Sequence, residues 1–241
     1  MESDLASQLN GWSRGKPKVS QRATLYPGLP LISPVRWLTD RGAHVVTDLE
    51  GHRGAIDALV TTGKMCVNEG QLEFVDSTDF LYFAGDITDR GPETLRLTAL
   101  LMDLRRRYPE RVAWVHGNLD VKNLGLLRNL PVLERRTPGF DTWLLARAEH
   151  EASVNGAIWQ PPTAGKREAF LDSRNTLDKR VEYWLCMQGA SQAFEYHRQE
   201  LGELRGRAVS RLEAAEDYVA RLMPGGETFE FLRLGQIALV H

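Results

Sequence analysis

Residues 79–92 read DFLYFAGDITDRGP, an apolar, aromatic-rich run that breaks into a Gly-bounded turn carrying two aspartates and an arginine. Asp and Gly are ordinary turn formers, and an Asp after a strand often caps the next helix, so this stretch alone leaves a capping role and a chemical role both open. Beyond it, ETLRLTALLMDLRRRY (93–108) repeats leucine and alanine at three- and four-residue spacing, the pattern of a helix with one buried face. The unit therefore reads strand, charged turn, helix.

The same order recurs on either side. Upstream, AHVVT (43–47) is a short β-branched run, followed by a Gly-bearing turn and the helix-compatible RGAIDALVTTG (53–63). Downstream, RVAWVHG (111–117) is a third strand. Strands alternating with helices imply parallel pairing through right-handed crossovers, which brings every strand's carboxyl end to one edge of the sheet. The expected class is α/β.

At those three ends stand DLEG (48–51), GDITDRG (85–91) and GNLD (117–120), each with oxygen donors. Ligands of open α/β sheets bind outside the strand carboxyl ends, so Asp48, Glu50, Asp86 and Asn118 could face one pocket. Carboxylates gathered without a cation repel one another, and divalent metals relieve that repulsion. Hard oxygen ligands suit manganese, magnesium or iron, with zinc also possible. A carboxylate such as Asp86 can bridge two ions roughly 3.5–4 Å apart.

The series DxxG, GDxxDRG, GNxD, spaced by about thirty to forty residues, resembles the calcineurin-like metallophosphoesterases, and within them the phosphoprotein phosphatase branch. The likeness spans about residues 43–130 and includes the YPERV lead (108–112) into the third strand. It implies an αββα sandwich of two mixed sheets and a site with two divalent metal ions, manganese foremost. By position, it implies that Asp48 and Glu50 ligate one ion, Asp86 bridges, Asn118 ligates the second, and Arg90 holds a phosphate oxygen. An arginine's planar fork of donors matches phosphate.

The departures bear on chemistry. Glu50 stands where the family commonly has histidine, exchanging a neutral nitrogen for an anionic oxygen. Leu119 stands where the family's GNH motif places a histidine that protonates the leaving oxygen, a contribution of order 10²–10⁴ in rate. Asp89, the usual support of that histidine, is left without its partner and is a catalytic candidate that could act through water. His116 is open to two readings, a phosphate-binding or proton-donating residue and a plain strand-end histidine, and His52 could be a substitute ligand or a surface residue. In the turn DVKNLGLLRNLP (120–131), Asp120, Lys122 and Asn123 are candidates for supporting the site, Asp120 foremost.

Lysine plus arginine number 30 against 32 aspartates plus glutamates, so no global basic field points to nucleic acid. The two cysteines, Cys66 and Cys186, form no disulfide or zinc pattern, and a reducing cytoplasm is the expected setting. Residues 1–40 read as a flexible lead-in without signal-peptide or membrane-span character, and residues 41–241 as one domain. A mostly helical insertion is expected over about 140–225, with a long helical region over 176–222 after Pro/Gly-bearing pieces. Val209, Leu212, Ala215, Val219 and Leu222 would be its buried stripe, and Trp184, Met187 and Phe194 core residues. FLRLGQIALVH (231–241) reads as a strand in which His241 is the sole candidate for the family's next ligand, so the chain reads as cut short. The expected activity is phosphoric monoester hydrolysis on phosphorylated proteins. A dinucleoside polyphosphate or other small phosphoester is the alternative substrate, and a catalytically dead binding module the alternative of another class.

Overall fold

The computed structural model of the chain describes residues 42–88, 90–128, 133 and 135–235. Strands β1 (Ala43–Val46), β4 (Phe80–Ala84) and β5 (Val112–Val115) form a parallel sheet in the order β1-β4-β5. Ala43 pairs with Phe80, and Leu81 with Val112. Helices α1 (Gly54–Thr61) and α2 (Thr94–Arg107) follow β1 and β4. The α/β class and the three strands are those expected from the hydrophobic runs.

Between α1 and β4 lies an antiparallel hairpin that the sequence reading passed over, β2 (Met65–Asn68) with β3 (Gln71–Phe74). Its loop residues Glu69 and Gly70 both have positive φ, 50° and 79°, the primed-turn geometry whose twist matches that of paired strands.

Side chains alternate across the parallel sheet. On one face Leu81, Phe83, Val112 and Trp114 are almost fully buried and share one cluster with Leu97, Leu101 and Leu104 of α2. Phe80, Ala113 and Tyr82 make a small cluster on the other face.

The rest of the described chain is helical. Helix α3 (Asn118–Arg128) starts at the third motif, so the stretch DVKN, quoted as a turn, lies in the first turns of a helix, where Asp, Asn and Lys are ordinary residues. Then come α4 (Pro138–Val154), α5 (Ala164–Ser173), α6 (Leu177–Met187), α7 (Ala193–Arg205), α8 (Arg211–Leu222) and α9 (Glu227–Leu234). Residues 137–140 (TPGF), one of the Pro/Gly-bearing pieces, open α4: Thr137 Oγ1 accepts the Phe140 N–H at 3.3 Å and Pro138 opens the first turn. Ser210 caps α8 by accepting the Glu213 N–H at 3.1 Å, and Gly206 ends α7 in the left-handed conformation. Val181, Leu185, Phe194, Leu201, Ala214, Ala215 and Phe231 belong to the same buried cluster as the sheet.

Three local expectations are corrected. FLRL (231–234) is the end of α9, not a strand. Phe231 stacks on Trp114 with centroids 4.9 Å apart and an interplanar angle of 11°. Burying such a ring is worth about 1.5–3 kcal/mol, more than the ~1 kcal/mol range of β-propensity. Leu212 and Met187 are exposed. The buried face of α8 runs instead through Ala214, Ala215, Tyr218 and Leu222, because α6, α7 and α9 all pack against that side. Residues 236–241, with His241, and the lead-in through residue 41 lie outside the described residues. No described helix is long and apolar enough to cross a membrane.

Ion pairs tie α7 to α8. Asp217 lies 2.7 Å from Arg221, 3.0 Å from Arg205 and 3.2 Å from His197. Burial pushes this carboxyl up, but the His197 ring and the Arg221 guanidinium outweigh burial and hold it down at about 2. With the folded value below an unfolded one of ~3.9, the stabilisation is present above that value and lost as pH falls toward 2. Urea unfolding at a series of pH values should show the native chain losing about 2 kcal/mol more than Asp217→Asn between pH ~5 and ~2.

Candidate functional site

Beyond the last paired residues of β1 and β4, the two backbones stay together. The Asp48 N–H donates to the Gly85 carbonyl (3.3 Å), the Glu50 N–H to Asp86 (2.7 Å) and the Gly51 N–H to Ile87 (2.8 Å). To follow this path Asp48, Glu50 and Asp86 adopt positive φ angles of 51°, 46° and 43°. Among the described non-glycine residues only Glu69, in the hairpin loop, shares that conformation. A left-handed non-glycine residue costs of order 1–3 kcal/mol and persists where its surroundings dictate it. Here the continued ladder and the contacts between turns do so.

Those contacts run through glycine. A Cβ on Gly91 would lie 2.4 Å from the Gly51 carbonyl oxygen, and one on Gly117 2.2 Å from both the backbone nitrogen and Oδ1 of Asp86. Only bare backbone lets the three motif turns approach this closely. The expectation that the strand ends converge is met in the backbone.

Side chains then bridge the turns. Asp86 Oδ1 accepts the Leu119 N–H at 2.8 Å, so the second motif caps the helix that starts at the third. With its amide nitrogen turned toward the carboxylate, Asn118 lies 2.8 Å from Asp86 Oδ2. Glu50 Oε1 accepts from Arg90 Nη1 at 2.6 Å, joining the first motif to the second. Asp48 is exposed at the same edge.

Asp120 is wholly buried. It accepts N–H groups from Gly117 (3.0 Å) and Ile87 (3.3 Å) and the Thr88 hydroxyl (3.2 Å). Burial pushes this carboxyl up, and the His116 ring and the three donors counter it. It fastens the third motif to the second from behind. His116 is buried too: Nε2 meets the Leu232 carbonyl at 2.7 Å, and Nδ1 has no hydrogen-bond partner among the described residues. Burial pushes its imidazolium down, against the opposing pull of Asp120 and of the Leu232 carbonyl. Leu119 is buried and gives the site its backbone N–H rather than an acid. His52 is exposed, Lys122 donates to the Gln188 carbonyl at 3.0 Å, and Asn123 is buried and accepts from the Tyr218 hydroxyl at 3.4 Å. Asp89 lies outside the described residues.

The donor set is one of hard oxygens, and turning the Asn118 amide so that its oxygen rather than its nitrogen lies beside the Asp86 carboxylate would present two oxygen ligands to a divalent cation. Glu50 is engaged by Arg90, and among the described residues no three His, Cys, Asp or Glu side chains gather as a group that could hold an ion. The fit thus rests on the Asp86–Asn118 pair, with Asp48 and Glu50 at the same edge. What sequence reasoning missed is the capping role of Asp86 and the glycine contacts. The glycine of each motif was the available signal.

A family model described as Calcineurin-like phosphoesterase matches residues 43–226. Comparison with curated proteins and with solved structures returned no match.

Replacing Asp120 by alanine strands two backbone N–H groups and a hydroxyl in the interior. The variant is expected to lose at least about 2 kcal/mol in urea unfolding, whereas exposed His52→Ala should stay within about 0.5 kcal/mol of the native chain.

Proposed function

Since the chain belongs to the calcineurin-like phosphoesterases, we propose that it hydrolyses phosphoric monoesters of phosphorylated proteins at the shared edge of β1, β4 and β5. Membership makes it a metallophosphoesterase-type hydrolase. The observation that carries the finer reading is the meeting of Asp86 with Asn118 at 2.8 Å and of Arg90 with Glu50 at 2.6 Å, both on that edge.

In this reading Asp86, Asn118, Asp48 and Glu50 would hold two divalent ions, manganese foremost. Bound there, they would supply Lewis-acid polarisation of the phosphoryl group and a water acidic enough to ionise near neutral pH. The protein's own part is positioning. Asp86 is fixed by the Leu119 N–H and by its crowded backbone, so its carboxylate needs no reorganisation when charge develops. Arg90 is half exposed and, among the described residues, is held by Glu50 alone, so a phosphate oxygen can take Glu50's place on its guanidinium fork.

Proton delivery to the leaving oxygen is the step for which the described residues offer least. Leu119 has no proton to give, and His116 is kept toward its neutral form and bonded to Leu232. The reading therefore favours esters whose leaving group departs without protonation, aryl before alkyl. Phosphotyrosine is the matching protein substrate.

With manganese present, p-nitrophenyl phosphate and a phosphotyrosine peptide should turn over faster than a phosphoserine peptide. Asp86→Asn and Arg90→Ala should each lower kcat/KM by about 10²-fold or more, of the order found on removing a preorganised charge-stabilising donor. Stoichiometric metal binding with no turnover of any ester would instead identify a binding module.

A further inference from the structure

Helix α2 follows the arginine turn, yet its N-terminus is capped from elsewhere. Glu93, the residue before its first turn, makes no side-chain cap. The N–H groups of Leu95 and Arg96 donate instead to Oε2 and Oε1 of Glu200, both at 2.8 Å, across more than a hundred residues of sequence. Glu200 sits on α7, in the helical layer, and is only 2 % exposed. Burying a carboxylate is costly unless hydrogen bonds and opposite charge meet it. Here burial still pushes the carboxyl up, while two helix-terminal N–H groups, the positive end of α2, Arg96, whose Nη1 is 3.9 Å away, and the His197 ring partly counter it.

The chain is thus pinned both before and after Arg90. On one side Ile87 is bonded to Asp120 and Gly51, and on the other the Glu93 N–H donates to the Gly51 carbonyl at 3.0 Å while Leu95 and Arg96 hang on Glu200. Arg90 stands between, beside Gly91, whose contact with Gly51 leaves no room for a Cβ.

We infer that Glu200 is a positioning residue for Arg90: by capping α2 from the helical layer, it holds the arginine turn in register with the first motif. The inference rests on the phosphate-binding role proposed for Arg90. It makes the helical layer part of the active-site support, acting through α2 rather than by touching substrate.

Glu200→Gln keeps the shape but offers one acceptor oxygen to two N–H donors and removes the charge. Glu203→Gln, which removes the exposed partner of Arg96, is the control. Hydrogen exchange over residues 85–96 should speed up about tenfold in Glu200→Gln and stay native in Glu203→Gln. With p-nitrophenyl phosphate and manganese, KM should rise several-fold with a smaller change in kcat. In an Arg90→Ala background the same substitution should shift KM by less than twofold, since coupled residues are not additive. Should Glu200→Gln fail to fold, Glu200→Asp, too short to reach both N–H groups, takes its place with the same readouts. Native exchange over 85–96, or a KM rise undiminished without Arg90, would overturn the inference. If the native chain hydrolyses no ester, the phosphatase reading fails by itself, and the exchange rates alone then judge whether Glu200 holds the turn.

Discussion

Crowding of backbone against backbone at the carboxyl edge of the parallel sheet is the constraint on which the site depends. Gly51 abuts Gly91, and Gly117 abuts Asp86, at separations where a single Cβ would overlap main-chain atoms. Three turns held this tightly cannot relax independently. The left-handed backbone of Asp48, Glu50 and Asp86 follows from the ladder that continues past the strand ends. The strain is local, and the stability that sustains it comes from the aromatic and aliphatic core beneath.

Two aspartates divide the work of joining the motifs. Asp86 faces outward, where it caps α3 and meets Asn118, so one carboxylate is both a structural acceptor and the centre of the proposed ligand set. Asp120 faces inward and spends its oxygens on Gly117, Ile87 and Thr88. Chemically alike and close in space, they are separated in role by exposure alone. The half-exposed carboxylate is available to ligands, and the buried one is raised toward neutrality and serves as a staple.

The helical layer shares the sheet's core and reaches the motifs from three directions. Phe231 and Leu232 of α9 cover Trp114 and occupy His116, Tyr218 of α8 meets Asn123, and Glu200 of α7 caps α2. A histidine that stands beside the third motif in sequence is thereby withdrawn into the packing. Together with Leu119, this leaves the described residues of the site as oxygen donors and Arg90, and it is why leaving-group acidity matters in the proposed reaction.

Strand and helix periods, the glycines of each motif and the order of the units were legible in the sequence, because they depend on residues within a few positions of one another. They sufficed to determine the α/β class, the parallel arrangement and the edge at which Asp48, Glu50, Asp86, Arg90 and Asn118 stand. Only the tertiary structure decided which of several chemically equivalent groups face that edge. Burial places Asp120, a candidate support, behind the motifs and turns His116, open between two readings, inward; FLRL reads as a strand until Phe231 finds Trp114, and the capping role of Glu200 has no local signal at all. Each of those outcomes turns on a partner far away in the chain, and neither local periodicity nor residue type encodes such a partner.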